Sequence, residues 1–414
     1  MKKETRGLTR REFVGHSTRG LASLGLLGAV SRLPALGAAA SGILQNGRPV
    51  TRVLGKTNIH LPIVSLGAMN AGRNDMIIRR ALDLGMRHVD TAFNYGLGRN
   101  EEMIGTVLND MNFSDKVAVA TKVPLLPKTV IRQMDQAQVA AYVLRHAEGS
   151  RKRLRKDSID FLYLHDVQSG DYMNMPGLLQ GLETVRKQGI ARFVGFSTHT
   201  NMAECLRQAA ADGSYDVVLT AFNYAMGENS DLIAAMKGAA AAGIGLIAMK
   251  TQCKQPWYSS SDEKPERREY AAKISHPALL KWVLHHDFIT TAVPGCQNFD
   301  ELEQDFGVAL NLDYTEEEKT FLKDRVVAAA LRAVCQQCGA CVATCPQRVD
   351  IPSLIRAHMY VGSYGNAEQA GQALRGIPRG RGLEGCSSCA DCVASCRFRV
   401  PVGQRLAELR GFLA

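Results

Sequence analysis

The stretch His88-Val89-Asp90-Thr91-Ala92-Phe93-Asn94-Tyr95-Gly96 decides how this chain is read. It is an apolar strand that ends in an acid, followed by a short loop carrying a phenol. Two later runs have the same form. Val117-Ala118-Val119-Ala120-Thr121-Lys122 ends in a lysine, and Ile159-Asp160-Phe161-Leu162-Tyr163-Leu164-His165 ends in a histidine. Polar groups at the carboxyl ends of successive parallel strands are where a (β/α)8 barrel keeps its chemistry. Asp90, Tyr95, Lys122 and His165 are therefore the candidate catalytic residues.

Outward from this stretch, strand-like and helix-like segments alternate at the rhythm of βα units. Strands are predicted over 63–66, 87–90, 117–122, 160–165, 192–197, 216–220, 243–249 and 290–293. Helices are predicted over 75–84, 100–109, 139–154, 175–187, 202–211, 231–241 and 279–286, with a last one after Asn298. Eight strands with helical crossovers give a TIM barrel better than an open doubly wound sheet. No Gly-x-Gly-x-x-Gly follows the first strand, which weakens a Rossmann reading further.

With 414 residues, 46% of them hydrophobic, the chain can fill a barrel core and still hold a small second domain. The expected division is 1–40, 41–312, a connector over 313–334 (its helix over 315–327), and 335–414. The net charge of +10 would suit nucleic acid, but its distribution does not. Residues 1–40 carry seven Lys/Arg and two Asp/Glu, and residues 331–414 carry ten Arg and five Asp/Glu. Each end contributes +5, so the middle is neutral and no basic groove for nucleic acid is expected.

At the N-terminus, Thr9-Arg10-Arg11-Glu12-Phe13-Val14 matches the twin-arginine export pattern, an address read by the Tat translocon. A weak apolar run over 20–30 and the small residues Ala38-Ala39-Ala40 complete a signal-peptide pattern. The apolar run is far shorter than the ~20 residues of a spanning helix. Export to the periplasm, with no stable membrane span, is the expectation.

Eight of the eleven cysteines fall into two motifs with one spacing. These are Cys335-x-x-Cys338-x-x-Cys341-x-x-x-Cys345-Pro346 and Cys386-x-x-Cys389-x-x-Cys392-x-x-x-Cys396. Zinc sites expect separate Cys-x-x-Cys pairs, which fits the Cys-Pro run badly. The spacing resembles that of bacterial two-cluster ferredoxins, where each motif's fourth cysteine serves the other cluster. The resemblance implies an α-rich dicluster domain. One [4Fe–4S] cluster would take Cys335, Cys338, Cys341 and Cys396, and the other Cys386, Cys389, Cys392 and Cys345. Arg397 stands where proline usually follows the last ligand, and a helix is predicted over 351–359 between the motifs. The excess of Arg would offset the clusters' negative charge. Cys205, Cys253 and Cys296 read as buried, inert thiols, with Cys253 near the barrel mouth.

The barrel region itself resembles the aldo/keto reductase family. Leu54-Gly55-Lys56-Thr57-Asn58-Ile59-His60-Leu61 resembles the family's opening hairpin, residues 150–165 its helix-then-strand signature, and Val194-Gly195-Phe196-Ser197 the turn that meets the nicotinamide amide. The resemblance implies a Tyr-Lys-Asp-His tetrad at Tyr95, Lys122, Asp90 and His165, with Tyr95 as the proton donor to a substrate carbonyl. Lys122 would lower the pKa of the phenol, Asp90 would keep Lys122 charged, and His165 would orient the substrate oxygen.

The same resemblance implies nicotinamide contacts from Gly67, Ala68, Met69, Ser197 and Thr198. Phosphate contacts would come from Pro294, Gly295, Gln297 and Asn298 at a helix N-terminus. The loop offers Phe299, Asp300 and Glu301 where members that prefer NADP carry a base, so the cofactor is NADP or NAD. The glutamine usual before the sixth-strand turn is also absent from 219–223. Met69, Phe93, Met226 and Trp257 are candidate apolar walls for the substrate.

Together these features predict an NAD(P)-dependent oxidoreductase that interconverts a carbonyl and an alcohol, fused to two [4Fe–4S] clusters. A nicotinamide moves two electrons at once and a cluster moves one, and no flavin motif bridges them. Two alternatives stand beside it. The clusters could pass electrons between the barrel site and an electron-transfer partner, or the chain could be a non-enzymatic iron–sulfur protein.

Overall fold

The computed structural model describes residues 48–72, 74–253, 274–324, 334–389 and 391–413. The export pattern over 1–40, Trp257 and the connector over 325–333 lie outside the described residues.

A short hairpin comes first, with β1 (Thr51–Val53) antiparallel to β2 (His60–Pro62). Eight parallel strands follow in sequential order: β3 (Leu66–Gly67), β4 (His88–Asp90), β5 (Ala118–Pro124), β6 (Ile159–His165), β7 (Ala191–Thr198), β8 (Val217–Ala221), β9 (Gly245–Met249) and β10 (Thr291–Ala292). Parallel bridges Val64–Ala292 and Gly67–Gly295 join the last strand to the first and close the ring. The crossover helices are α1 (Asp75–Leu84), α2 (Arg99–Asp110), α3 (Gln136–Arg153), α4 (Pro176–Lys187), α5 (Met202–Asp212), α6 (Ser230–Ala241) and α7 (His276–Leu284), with α8 (Phe299–Leu310) after β10.

These boundaries follow local chemistry. Asn74 caps α1 by accepting from the Met76 amide, and Gly85 ends it in the left-handed region that a side chain disfavours. Asp135 and Gln138 form a reciprocal capping box that starts α3 three residues before the predicted position. The first strand is the largest departure, at Leu66–Gly67 rather than 63–66, because Val64 makes only an isolated bridge to Ala292.

Two apolar layers hold the barrel. Strand and helix residues pack between the sheet and its surrounding helices, including Val89, Ile104, Val143 and Leu182. Inside the ring, Phe161, Tyr163, Val217, Leu219 and Ile247 pack with Leu54 and Leu61 from the opening hairpin segment. Gly55 makes that closure, because a Cβ there would lie 2.3 Å from the Gly245 amide nitrogen. The hairpin therefore shuts the amino end of the barrel and leaves the carboxyl end as the working mouth.

Beyond the barrel come α9 (Glu316–Lys323), α10 (Ala340–Thr344), α11 (Ile351–Tyr364), α12 (Ala367–Arg375) and α13 (Val402–Leu413). Helix α11 runs five residues past the predicted 351–359, and α12 was not expected. Val349, Leu354, Ala357, Leu406 and Leu409 form a second core, and Met69 from the barrel packs against it. Among the described residues no helix is long and apolar enough to cross a membrane.

Candidate active site at the barrel mouth

Strand register brings the four candidate residues together. Asp90 pairs with Ala120 across β4 and β5, which sets the Lys122 side chain beside it. Lys122 Nζ donates to Asp90 Oδ1 at 2.5 Å and to the Thr91 carbonyl at 2.6 Å, and the lysine is only 1% exposed. Burial pushes Asp90 up and Lys122 down, and their mutual attraction opposes both shifts. At this separation the two titrate as one unit.

The Lys122 ammonium stands 5.2 Å above the centroid of the Tyr95 ring, and Tyr95 meets the His165 ring edge-on at 6.2 Å. Burial, reinforced by the Asp90 carboxylate, pushes the Tyr95 phenol up. The Lys122 ammonium faces the ring, and its hydrogen bonds go to Asp90 and to the Thr91 carbonyl. Burial and Lys122 push His165 down to about 3, so its imidazole is neutral.

All four residues line one cleft of about 770 Å3, shared with Gly67, Met69, Ser197, Pro294 and Gly295. The other nucleotide candidates fall elsewhere. Ala68 is fully buried and off the cleft lining. Thr198 is also buried, and its hydroxyl donates to the Thr200 carbonyl. Asn298 caps α8 by accepting from the Glu301 amide, and the Gln297 amide nitrogen donates to Glu301 Oε2 at 2.9 Å. The Gln297 amide, expected to meet phosphate, is thus already held by a side chain of the same turn. Gln297 Nε2 reaches instead to the Tyr364 carbonyl at 2.9 Å.

The cleft fits a polar ligand. Asn70 Oδ1, Asp90 Oδ2, His165 Nδ1 and Thr251 Oγ1 are buried with no hydrogen-bond partner among the described residues, and all four belong to cleft-lining residues. Buried polar atoms are nearly always satisfied, so a group of orphans around one cavity marks a place for a bound partner. Ser197 Oγ accepts from the Asp166 amide at 3.0 Å and keeps its own proton to donate. The nicotinamide end of a cofactor is therefore compatible with these residues. Phe93, an expected wall, instead packs on His146 and Arg153. Met226 is buried beside a neighbouring cavity.

The roof of the cleft comes from the C-terminal region. Tyr360 and Tyr364 of α11 and Gln369 of α12 line it together with the tetrad. Polar contacts tie this roof to the barrel. Gln372 Nε2 donates to the Asn94 carbonyl at 2.8 Å, and Gln336 Nε2 to the Ala225 carbonyl at 3.0 Å. Arg356 pairs with Asp166 at 3.0 Å, and Lys250 Nζ donates to the Tyr360 hydroxyl at 3.2 Å. Burial opposes ionisation of Asp166, yet Arg356 and His199 hold its carboxyl well below the usual range. Burial, aided by Arg356, lowers Lys250 to about 7.

Sequence reasoning missed Asn70, His199, Lys250 and Thr251. Lys250 and Thr251 follow β9 directly, so the rule that found Lys122 could have found them. Tyr360 carried no such signal, since nothing local ties it to a barrel strand.

The eight motif thiols form two sets. Burial pushes the Cys335 thiol up to about 12, with added repulsion from Cys341, Cys396 and Cys338. Cys386 is likewise raised by burial and by Cys345, Cys392 and Cys389. The latter four line a cavity of about 1080 Å3. Among the described residues no three His, Cys, Asp or Glu converge tightly enough for a single metal ion. A cubane cluster spreads its thiolates around a larger inorganic body, so two loose sets of four fit it better than zinc. The three remaining cysteines are buried; Cys296 donates to Asp305 Oδ2 at 3.4 Å, and Cys253 lines the cavity shared with Cys335.

Residues 64–275 match the model of the aldo/keto reductase family, about half of the chain. The chain belongs to the aldo/keto reductase family. Residues 334–404 match the 4Fe-4S dicluster domain, so this reductase barrel carries an iron–sulfur domain. Among its relatives is D-threo-aldose 1-dehydrogenase of a Pseudomonas species, 25% identical over 240 residues, which cover 51% of this chain and 71% of that protein. Other curated reductase relatives match over about half of their own length. Among solved structures, the holo form of an aldo-keto reductase from Bacillus halodurans superposes with a TM-score of 0.54 at 18% identity, covering 67% of this chain and 96% of that one. An aldo-keto reductase from Klebsiella pneumoniae, solved in complex with NADPH, gives 0.50 at 22% identity, covering 68% and 96%. At these identities the structures establish the barrel fold.

Proposed function

We propose that this reductase interconverts a carbonyl and an alcohol by hydride transfer with a nicotinamide cofactor, using Tyr95 as general acid and base. The convergence of Asp90, Tyr95, Lys122 and His165 in one cleft lined with unsatisfied polar atoms carries this reading. Burial keeps the phenol protonated, as a donor to a carbonyl oxygen gaining charge must be. The Lys122 ammonium over the ring stabilises the phenolate as it forms. A neutral His165 can present one N–H to the same oxygen. Gly67, Asn70, Ser197, Pro294 and Gly295 would hold the nicotinamide, which supplies or accepts the hydride. Asp300 and Glu301 in the first turn of α8 favour NAD, because both would repel a 2′-phosphate.

One observation favours a second reading, in which the clusters exchange electrons with the barrel site or an outside carrier. Cys335 lines a cavity that shares Lys250 and His199 with the reductase cleft. Export by the twin-arginine route belongs to the same proposal, since that route suits proteins that fold around cofactors first.

The test is an anaerobic titration of the cluster-loaded protein with NADH and then NADPH, following the visible absorption of the clusters beside a carbonyl-reductase assay. Turnover without bleaching supports the first reading. Bleaching supports the second and names the nucleotide. Neither response to either nucleotide, in protein whose clusters dithionite reduces, overturns both.

A further inference from the structure

The residue directly after His165 joins the two domains. Asp166 has a φ of 61°, in the left-handed region that a side chain disfavours. Such a backbone persists only where its surroundings over-determine it. Three groups do so here. The Asp166 amide donates to Ser197 Oγ at 3.0 Å. Its Oδ1 accepts from His199 Nδ1 at 3.0 Å, and Arg356 Nη1 stands 3.1 Å from Oδ1 and 3.0 Å from Oδ2.

The barrel does not complete this arrangement by itself. Burial holds His199 at about 4, so its ring is neutral and brings a hydrogen bond without a charge. Among the described residues Arg356 is the only lysine or arginine in ion-pair contact with Asp166. It is 7% exposed and belongs to α11, between the two cysteine motifs. Removing one partner of a buried pair leaves the other charge uncompensated, so the place of this carboxylate depends on α11.

What the carboxylate holds is the reacting end of the cleft. His165 and Ser197 line that cleft together with Tyr95. His165 Nδ1 has no hydrogen-bond partner among the described residues, so that nitrogen does not fix the ring. Its direction is set by the backbone, which is β6 on one side and Asp166 on the other. Ser197 is tied to Asp166 through its hydroxyl, and its carbonyl accepts from the Val167 amide at 2.8 Å. A shift at Asp166 therefore moves the histidine and the serine together.

Resting on the reading above of a carbonyl–alcohol oxidoreductase, we propose that Arg356 is a positioning residue for hydride transfer, supplied by the iron–sulfur domain. In that reaction the hydride passes from the nicotinamide to the carbonyl carbon, and Tyr95 gives the oxygen its proton. Arg356 touches neither. It clamps Asp166, and through Asp166 it keeps His165 at the oxygen and Ser197 at the nicotinamide. The iron–sulfur domain thus belongs to the reductase machinery whether or not its clusters carry electrons.

The test uses the full cluster-loaded chain, with 4-nitrobenzaldehyde as the carbonyl probe and NADH and NADPH in turn. Stopped-flow absorbance follows a single turnover at saturating nucleotide. Its amplitude counts active sites, and its rate constant reports their geometry. Arg356→Met should lower the rate constant at least about tenfold with amplitude and cluster absorption retained, since a misplacement of about 1 Å can cost 10²-fold. The nucleotide Kd should rise at least about threefold, because Ser197 leaves the nicotinamide. Arg356→Lys keeps the charge and should react at least about threefold faster than Arg356→Met. A rate constant for Arg356→Met within about threefold of the unaltered protein overturns the proposal. So does a loss confined to amplitude, or a lysine variant no faster than the methionine one. Nucleotide binding without aldehyde reduction in the unaltered protein sinks the reductase reading, while the Kd comparison still decides the clamp.

Discussion

Two lysine–tyrosine pairs face the same cleft and differ in almost everything else. Lys122 and Tyr95 both belong to the barrel, and the ammonium is locked to Asp90 at 2.5 Å. Lys250 and Tyr360 meet across the junction with the iron–sulfur domain, and no described carboxylate neutralises the ammonium. A buried charge with a fixed counter-charge is a permanent fixture of the fold, whereas one without is a demand for a partner. The comparison separates a charge that the barrel neutralises by itself from one that meets the iron–sulfur domain.

The comparison breaks first at Tyr95. Tyr95→Phe should lower kcat by roughly 10²- to 10⁴-fold, the usual worth of a positioned acid, with unchanged cluster absorption. An equal kcat loss from Tyr360→Phe would make the two phenols equivalent and erase the distinction. Stability is the next contrast. Asp90→Asn strips Lys122 of its counter-charge and should cost about 3–5 kcal/mol in urea unfolding. Lys250→Met should change the same midpoint by less than about 1 kcal/mol, since no described ion pair is lost.

Acidity probes the histidine beside each pair. His165 is held at about 3 and His199 at about 4, and inside the barrel His88 is also held at about 4. Burial is the leading cause each time. These folded values lie below the ordinary 6.5, so the unfolded chain takes up the protons first as pH falls. The stabilisation is complete above about 6.5 and is lost progressively toward about 4. Urea midpoints should therefore drop between about pH 7 and about pH 5, by on the order of 2 kcal/mol per ring at the lower pH. His88→Leu should shrink that drop, because neither nitrogen of His88 has a partner among the described residues. Tyr360→Phe removes the same hydrogen bond as Lys250→Met and should likewise cost less than about 1 kcal/mol of stability.

The barrel was largely legible because its signals are local. Each strand is a short apolar run that carries a polar residue at or near its carboxyl end, as Asp90, Lys122 and His165 illustrate. Cysteine spacing was equally local, and the 4Fe-4S dicluster match spans both motifs. Tyr360 was not legible. It lies 265 positions from Tyr95 in sequence, and its place over the cleft depends on how α11 docks on the barrel. The burial that raises the Tyr95 phenol was not legible either, because it depends on what covers the barrel mouth. The turn at Gln297 and Asn298 shows the same limit, since Glu301 already holds the Gln297 amide and the Asn298 side chain is spent on capping α8.

The roof over the cleft has a consequence for how the molecule matures. Helix α11 lies between the two cysteine motifs, so whatever fastens those cysteines also fastens the ceiling of the reaction chamber. A chain starved of iron would hold its reacting groups beneath a ceiling fastened only by its contacts to the barrel. Competence to act on substrate would then report on metallation, and an immature copy would be silent rather than indiscriminate.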